Sequence, residues 1–182
     1  FTVRCNGASH HLFTFTNEIQ PLRPDDTDPN QANNKARVDV AIECVVPVTI
    51  NIKPGSFPNS INTLDKGVVP VGILTTKAGE YGKPLAFDAT SIDPLSVRFG
   101  PRACVWADEC GAFEAHNRGH IEDVVELDEK TKDGDKDLVL HFTTLETGIT
   151  QGMGDACVKG TWLDASGGRH TFFGCDSVRP VR

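Results

Sequence analysis

Residues 37 to 46 alternate without interruption: Val38, Val40, Ile42, Cys44 and Val46 fall on one side of an extended chain, and Arg37, Asp39, Ala41 and Glu43 on the other. A period of two is what a strand with one covered face requires, whereas a helical face repeats about every 3.6 residues. The run therefore predicts a half-buried β-strand. Val48, Ile50 and Ile52 carry the alternation past Pro47, which has no N–H and so marks a bend, a bulge or a sheet edge. Leu138, Leu140 and Phe142 alternate with Val139 and His141 in a further strand. The apolar run Gly67 to Leu74 contains Pro70, which predicts an edge or bulged strand rather than a central one. Phe1, Val3 and Cys5, then Phe13 and Phe15, predict two short N-terminal strands. A helical turn is expected only near Ser91 to Leu95, capped by Asp88 or Ser91.

Connections rich in Gly and Pro, such as Lys53-Pro54-Gly55-Ser56-Phe57-Pro58, separate these runs. Short strands so spaced predict an all-β fold, an antiparallel β-sandwich or jelly roll, because a parallel α/β sheet would need helices that the periodicity does not supply. With 182 residues the chain can bury one real core. The polar stretch Asn17 to Lys35 is too long for a tight hairpin turn and is expected to be an excursion, an arm or a ligand loop. The organisation expected is an N-terminal β-strand extension over residues 1–46, followed by a sandwich module over 47–182.

Six cysteines and one methionine fit a disulfide framework in an oxidising compartment. Cys157 and Cys175 lie symmetrically about Ser166 in Asp164-Ala165-Ser166-Gly167-Gly168, which has the residues of a hairpin turn, so they are expected to face each other on adjacent strands. Cys104 and Cys110 would then close a small loop, and Cys5 with Cys44 would tie the first strand to the strand at residues 37 to 46. The chain starts at Phe1 without Met or an apolar leader, which suggests a secreted, extracellular or cell-surface product with its leader removed. No apolar run is long enough to cross a bilayer as a helix.

The net charge of -7 argues against a nucleic-acid backbone as partner, and its location says more than its size. Glu122 to Asp137 holds eight acids against three lysines, and Asp25, Asp26 and Asp28 add three more negatives, so two short segments account for the whole acidic excess. Asp133-Gly134-Asp135-Lys136-Asp137 packs three carboxylates into five residues around a turn glycine. Such a cluster repels itself unless a cation sits in it, and oxygen-only ligands on a turning loop select calcium over zinc. Asp123, Asp128, Asp133, Asp135 and Asp137 are the expected ligands. Asp26, Asp28 and Asn30 repeat the alternate-oxygen spacing as a second, weaker site, without the glycine or terminal acid that would complete it.

These residues also carry a resemblance. The ordered string Ile50-Asn51-Ile52-Lys53-Pro54-Gly55-Ser56-Phe57-Pro58-Asn59-Ser60-Ile61-Asn62, Lys66 to Leu74, Ile92-Asp93-Pro94, Val97 to Pro101, Asp137 to Phe142, Thr147-Gly148-Ile149 and Gly174-Cys175-Asp176-Ser177-Val178-Arg179 resembles a recurrent module of secreted and surface bacterial proteins, from about Val48 to the end. The resemblance implies a compact acidic loop before the Asp137 strand, similar to the calcium loops of dockerins and integrin-type repeats. It makes Asp123 the first ligand, Asp133 the third and Asp137 the last. An insertion of about six residues between Asp123 and Asp133 departs from that pattern, and leaves the second ligand among Glu126, Asp128 and Thr131. Residues 1 to 46 lie outside the resemblance.

His116, His120 and Glu122 lie close in sequence, but Asn117-Arg118-Gly119 reads as a loop, so two histidines on one helical face are not available for zinc. His141 is expected to satisfy a hydrogen bond on its strand. No nucleophile elbow, zincin helix, phosphate loop or dinucleotide fingerprint occurs, and no catalytic residue is assigned. The expectation is a non-enzymatic, calcium-binding structural or cell-surface module that assembles into filaments or tubes by strand addition, with a second copy or another surface protein as partner. The alternatives are a calcium-dependent polysaccharide-binding module using Trp106 as a stacking platform, and an accessory domain of a secreted hydrolase.

Overall fold

A computed structural model describes residue 7, residues 9–19 and residues 29–182. Among the described residues, thirteen strands and one short α-helix follow in order. They are β1 (Ser9–Glu18), β2 (Lys35–Cys44), β3 (Val46–Pro47), β4 (Ile50–Ile52), β5 (Ser60–Asn62), β6 (Val68–Ile73), β7 (Arg98–Gly100), α1 (Arg102–Trp106), β8 (Ala112–Phe113), β9 (His120–Glu122), β10 (Asp137–Thr143), β11 (Asp155–Leu163), β12 (Arg169–Ser177) and β13 (Arg179–Val181).

The all-β expectation holds. A four-stranded sheet, β4-β6-β10-β9, and a five-stranded sheet, β3-β12-β11-β7-β8, contribute their apolar faces to one core. Ile50, Val71, Ile73, Leu138, Leu140 and Phe142 come from the first sheet, and Val46, Phe99, Ala156, Val158 and Phe172 from the second. Phe99 meets Phe142 across that core at 5.1 Å between ring centroids. The arrangement is sandwich-like, since the longer strands of both sheets send alternate residues into the shared core. Most ladders are antiparallel, but β3 pairs with β12, and β5 with β13, in parallel.

Pro47 ends β3, which is the edge of the five-stranded sheet, and the chain then crosses to β4 in the other sheet. Pro70 corrects the reading of its strand: β6 is central, between β4 and β10. In a ladder the N and O of one residue point the same way. The Pro70 carbonyl accepts from Lys53 N–H at 2.8 Å, just past the end of β4, so the missing N–H falls where that short neighbour has already turned away. Helical turns form at Ala89–Ser91 and Pro94–Ser96, with Asp88 and Asp93 as their caps. The α1 turn was not anticipated.

The strand expected at residues 37 to 46 forms as β2, which ends at Cys44, while Val46 belongs to β3 of the five-stranded sheet, and β2 is not half-buried in the sandwich. β2 pairs with β1 over ten residues in a separate two-stranded arm, with Phe13 opposite Val40 and Phe15 opposite Val38. Val38 is 58% exposed and Leu12 68%. Alternation reports which side of a ribbon is apolar and says nothing about what covers it. The arm meets the body at its base, where Cys44 is buried and the Thr171 hydroxyl donates to Glu43.

Cys157 and Cys175 are directly opposed on β11 and β12 and are bridged, as are Cys104 and Cys110. The expected strand at Phe1 to Cys5, Cys5 as the expected partner of Cys44, and the ligands Asp26 and Asp28 fall on residues outside those described, while Cys44 itself is disulfide-bonded. Among the described residues no helix is long and apolar enough to cross a membrane.

Candidate functional site

The acidic segment is the connection between β9 and β10, whose antiparallel pairing sets Glu122 opposite Asp137. Asp137 opens β10 and is 1% exposed. Its carboxylate accepts from the Thr75 N–H at 2.8 Å and the Val124 N–H at 2.9 Å, pinning the loop entrance to the end of β6. Burial, with repulsion from Asp133 and Asp123, raises its pKa despite those two donors. Asp123 Oδ1 is buried without a hydrogen-bond partner. Thus Asp123 and Asp133 each lie within electrostatic reach of Asp137, and Asp123 and Asp137 have carboxylate oxygens shielded from water.

The other two expected ligands face elsewhere. Asp128 Oδ1 accepts from the N–H groups of Lys130 and Thr131, and its Oδ2 from the Thr131 hydroxyl, so both oxygens serve their own turn. These bonds hold its carboxyl below the usual range. Asp135 pairs with Lys77 at 3.2 Å, and Lys132 Nζ donates to the Asp123 carbonyl at 2.6 Å. Asp133 Oδ1 accepts from the Asp135 N–H at 2.9 Å across Gly134, whose φ of 89° lies in the left-handed region that favours glycine. Among the described residues, no three of these carboxylates present oxygens within 4.8 Å of one another. The oxygens are of the kind a hard cation takes, but they are not gathered at one point, and Lys132 from the loop and Lys77 from beyond β6 lie against them.

Three anchors of this loop escape sequence reading. Asn51 is fully buried, and its amide Nδ2 donates to the Val125 and Glu126 carbonyls and to Glu129 Oε2. Glu129 Oε2 also accepts from the Gly55 N–H at 2.6 Å. The Tyr81 hydroxyl donates to Glu126, and burial raises the pKa of both groups. The inserted residues are therefore not a free flap, because they are bound to the segment that begins Ile50-Asn51-Ile52. Asp176 plays a parallel part, accepting from Ile52 N–H and from the Asn59 amide and so locking the last motif of the chain to the first. A cleft of about 320 Å³ lies beside the loop, lined by Pro54, Glu122, Asp123, Lys132, Val139 and His141 among others.

Trp106 ends α1 at 49% exposure, with its ring edge-on to Phe173 at 5.0 Å and Lys159 Nζ 5.8 Å from its centroid. Trp162 packs on Phe87 at 5.2 Å and donates its indole N–H to the Asp88 carbonyl, a packing role. Neither a family model, a curated protein nor a solved structure matches this chain.

Proposed function

We propose that this chain is a non-enzymatic, extracellular structural module that joins to further copies of itself through the β1–β2 arm and is stabilised by calcium in the loop from Asp123 to Asp137. It would then belong with the secreted and surface modules that its motif string resembles. The observation that carries the reading is the arm. His11, Phe13 and Phe15 share one face with Val38, Val40 and Ile42, and no acidic residue, lysine or arginine interrupts that face. The charged partners, Arg37 with Asp39, lie on the opposite face, paired to each other at 3.1 Å.

A two-stranded ribbon is marginal in water by itself and needs a third strand or a packing layer. A second copy supplies either one without a complementary surface having to be found elsewhere. Among the described residues no third strand pairs with β1 or β2, so their outer edges have ladder N–H and C=O groups to offer an open sheet edge, and the apolar face excludes water from the joint. A contact of this kind that does not close into a ring propagates as a filament. Phe13 to Phe15 is already paired with β2, so the unit added is the hairpin, not a single strand.

The test is the mass of the purified full chain by light scattering, with calcium and with a chelator. The expected result is concentration-dependent association that Val38→Lys with Val40→Lys abolishes while leaving the melting of the body unchanged. A wild-type chain that stays monomeric at every concentration under both conditions would remove the reading.

A further inference from the structure

A second group of ligands gathers on the outer face of the four-stranded sheet. β9 pairs with β10 so that His120 lies opposite Val139, and His141, two residues further along β10, projects from the same face. The turn before β9 brings His116 over them. The three rings have centroid separations of 5.2 Å (His116–His141), 5.3 Å (His120–His141) and 6.3 Å (His116–His120). One ring nitrogen from each lies within 4.8 Å of the others.

The surroundings are built for this cluster. Glu114 bridges to β10 opposite Phe142, and its side chain is wholly buried. One carboxylate oxygen accepts the N–H groups of His116 at 2.6 Å and Arg118 at 3.0 Å. The other accepts the backbone N–H of His141 at 3.4 Å and stands 3.5 Å from His116 Nδ1. A carboxylate on one imidazole nitrogen fixes the ring and leaves Nε2 to face a metal. Gly119 lets the turn lie against the sheet, since a Cβ there would collide with the Leu138 side chain. His141 Nδ1 is buried with no hydrogen-bond partner, contrary to the satisfied strand histidine expected from the sequence.

We infer that His116, His120 and His141 form a binding site for a divalent transition ion of the zinc class, with Glu114 as the positioning carboxylate. Three imidazoles select a borderline ion such as zinc, cobalt or nickel over calcium, and leave a fourth position to water or an anion. The helical His-x-x-x-His geometry is not needed, because a glycine turn and a strand register bring the rings together.

The experiment is titration of the metal-stripped full chain with cobalt and with zinc, calcium being kept in excess throughout. The expected result is one cobalt per chain with the visible absorption of a four-coordinate ion, displaced by zinc, and a rise in melting temperature with zinc. His116→Ala and His120→Ala, neither of which touches the core, each abolish the absorption and the thermal shift. Glu114→Gln alters the cobalt spectrum and weakens affinity by roughly 10–100-fold. Absence of cobalt and zinc binding to the folded wild type, or binding that persists in the double variant His116→Ala/His120→Ala, overturns the inference.

Discussion

Asp164 shows how one side chain can hold a turn and make it pH-sensitive. Its carboxylate accepts from the Ser166 hydroxyl and N–H, from the Gly168 N–H and from the His170 ring, closing the connection between β11 and β12. The Ser166 hydroxyl first, and then His170, hold its pKa below the ordinary carboxylate value. A depressed folded-state pKa means stability that is present above the ordinary value, about 3.9, and is lost as pH falls below it through the folded value. Asp164→Asn is therefore expected to be less stable than wild type at neutral pH, and the gap is expected to narrow as pH drops below about 4. Urea unfolding across that range checks this, and parallel acid limbs for the two proteins would refute it. Asp164 was legible in the sequence as a turn residue, because its partners lie within six positions. Asn51 and Glu114 were not, because their partners lie more than 70 and up to 27 positions away and no local pattern announces a buried amide or carboxylate.

Elements inherit this difference between local and distant causes. The β11–β12 hairpin was readable because its turn residues, its alternation and its two cysteines agree, and Cys157 does face Cys175. The arm was half readable: its periodicity is local, while its lack of cover among the described residues is a property of the whole fold. Pro70 misled because the rule against central prolines concerns a lost ladder bond, and here a three-residue neighbour had no bond to lose. The two described disulfides also differ as elements. Sequence separations of 18 and 6 give loop-entropy stabilisations of about 3 and about 2 kcal/mol. Cys157 is fully buried. Replacing Cys157 and Cys175 by Ala is thus expected to lower unfolding free energy by about 1 kcal/mol more than replacing Cys104 and Cys110. Denaturant unfolding of the two double variants decides, and an equal or reversed order would show that native-state contacts outweigh chain entropy.

For the whole molecule, most of the net charge of -7 falls on Glu122 to Asp137, where β9 connects to β10. The loop carrying most of that charge is anchored by Asn51 and Gly55 from the first motif, and Asp137 fastens it to β6. Any ion that neutralises Asp123, Asp133 and Asp137 therefore acts on the sandwich as a unit, not on a detached flap. Binding to the folded form alone at about 100 times the dissociation constant adds about 2.7 kcal/mol, or about 5–11 °C in melting temperature for a domain of this size. Calcium is expected to raise the midpoint by that order relative to a chelator that leaves the protein otherwise unchanged. Asp137→Asn is a poor probe, because an amide cannot accept both the Thr75 and the Val124 N–H, and the variant would be destabilised with or without metal. Asp123→Asn with Asp133→Asn is cleaner: Asp123 Oδ1 has no partner to lose, and the side-chain amide oxygen introduced at position 133 can still accept from the Asp135 N–H. That double variant is expected to melt at or above the chelated wild type, since it removes repulsion, and to gain nothing from calcium. The same midpoint for wild type in calcium and in chelator would show that Lys77 and Lys132 already provide all the compensation this acidic loop receives.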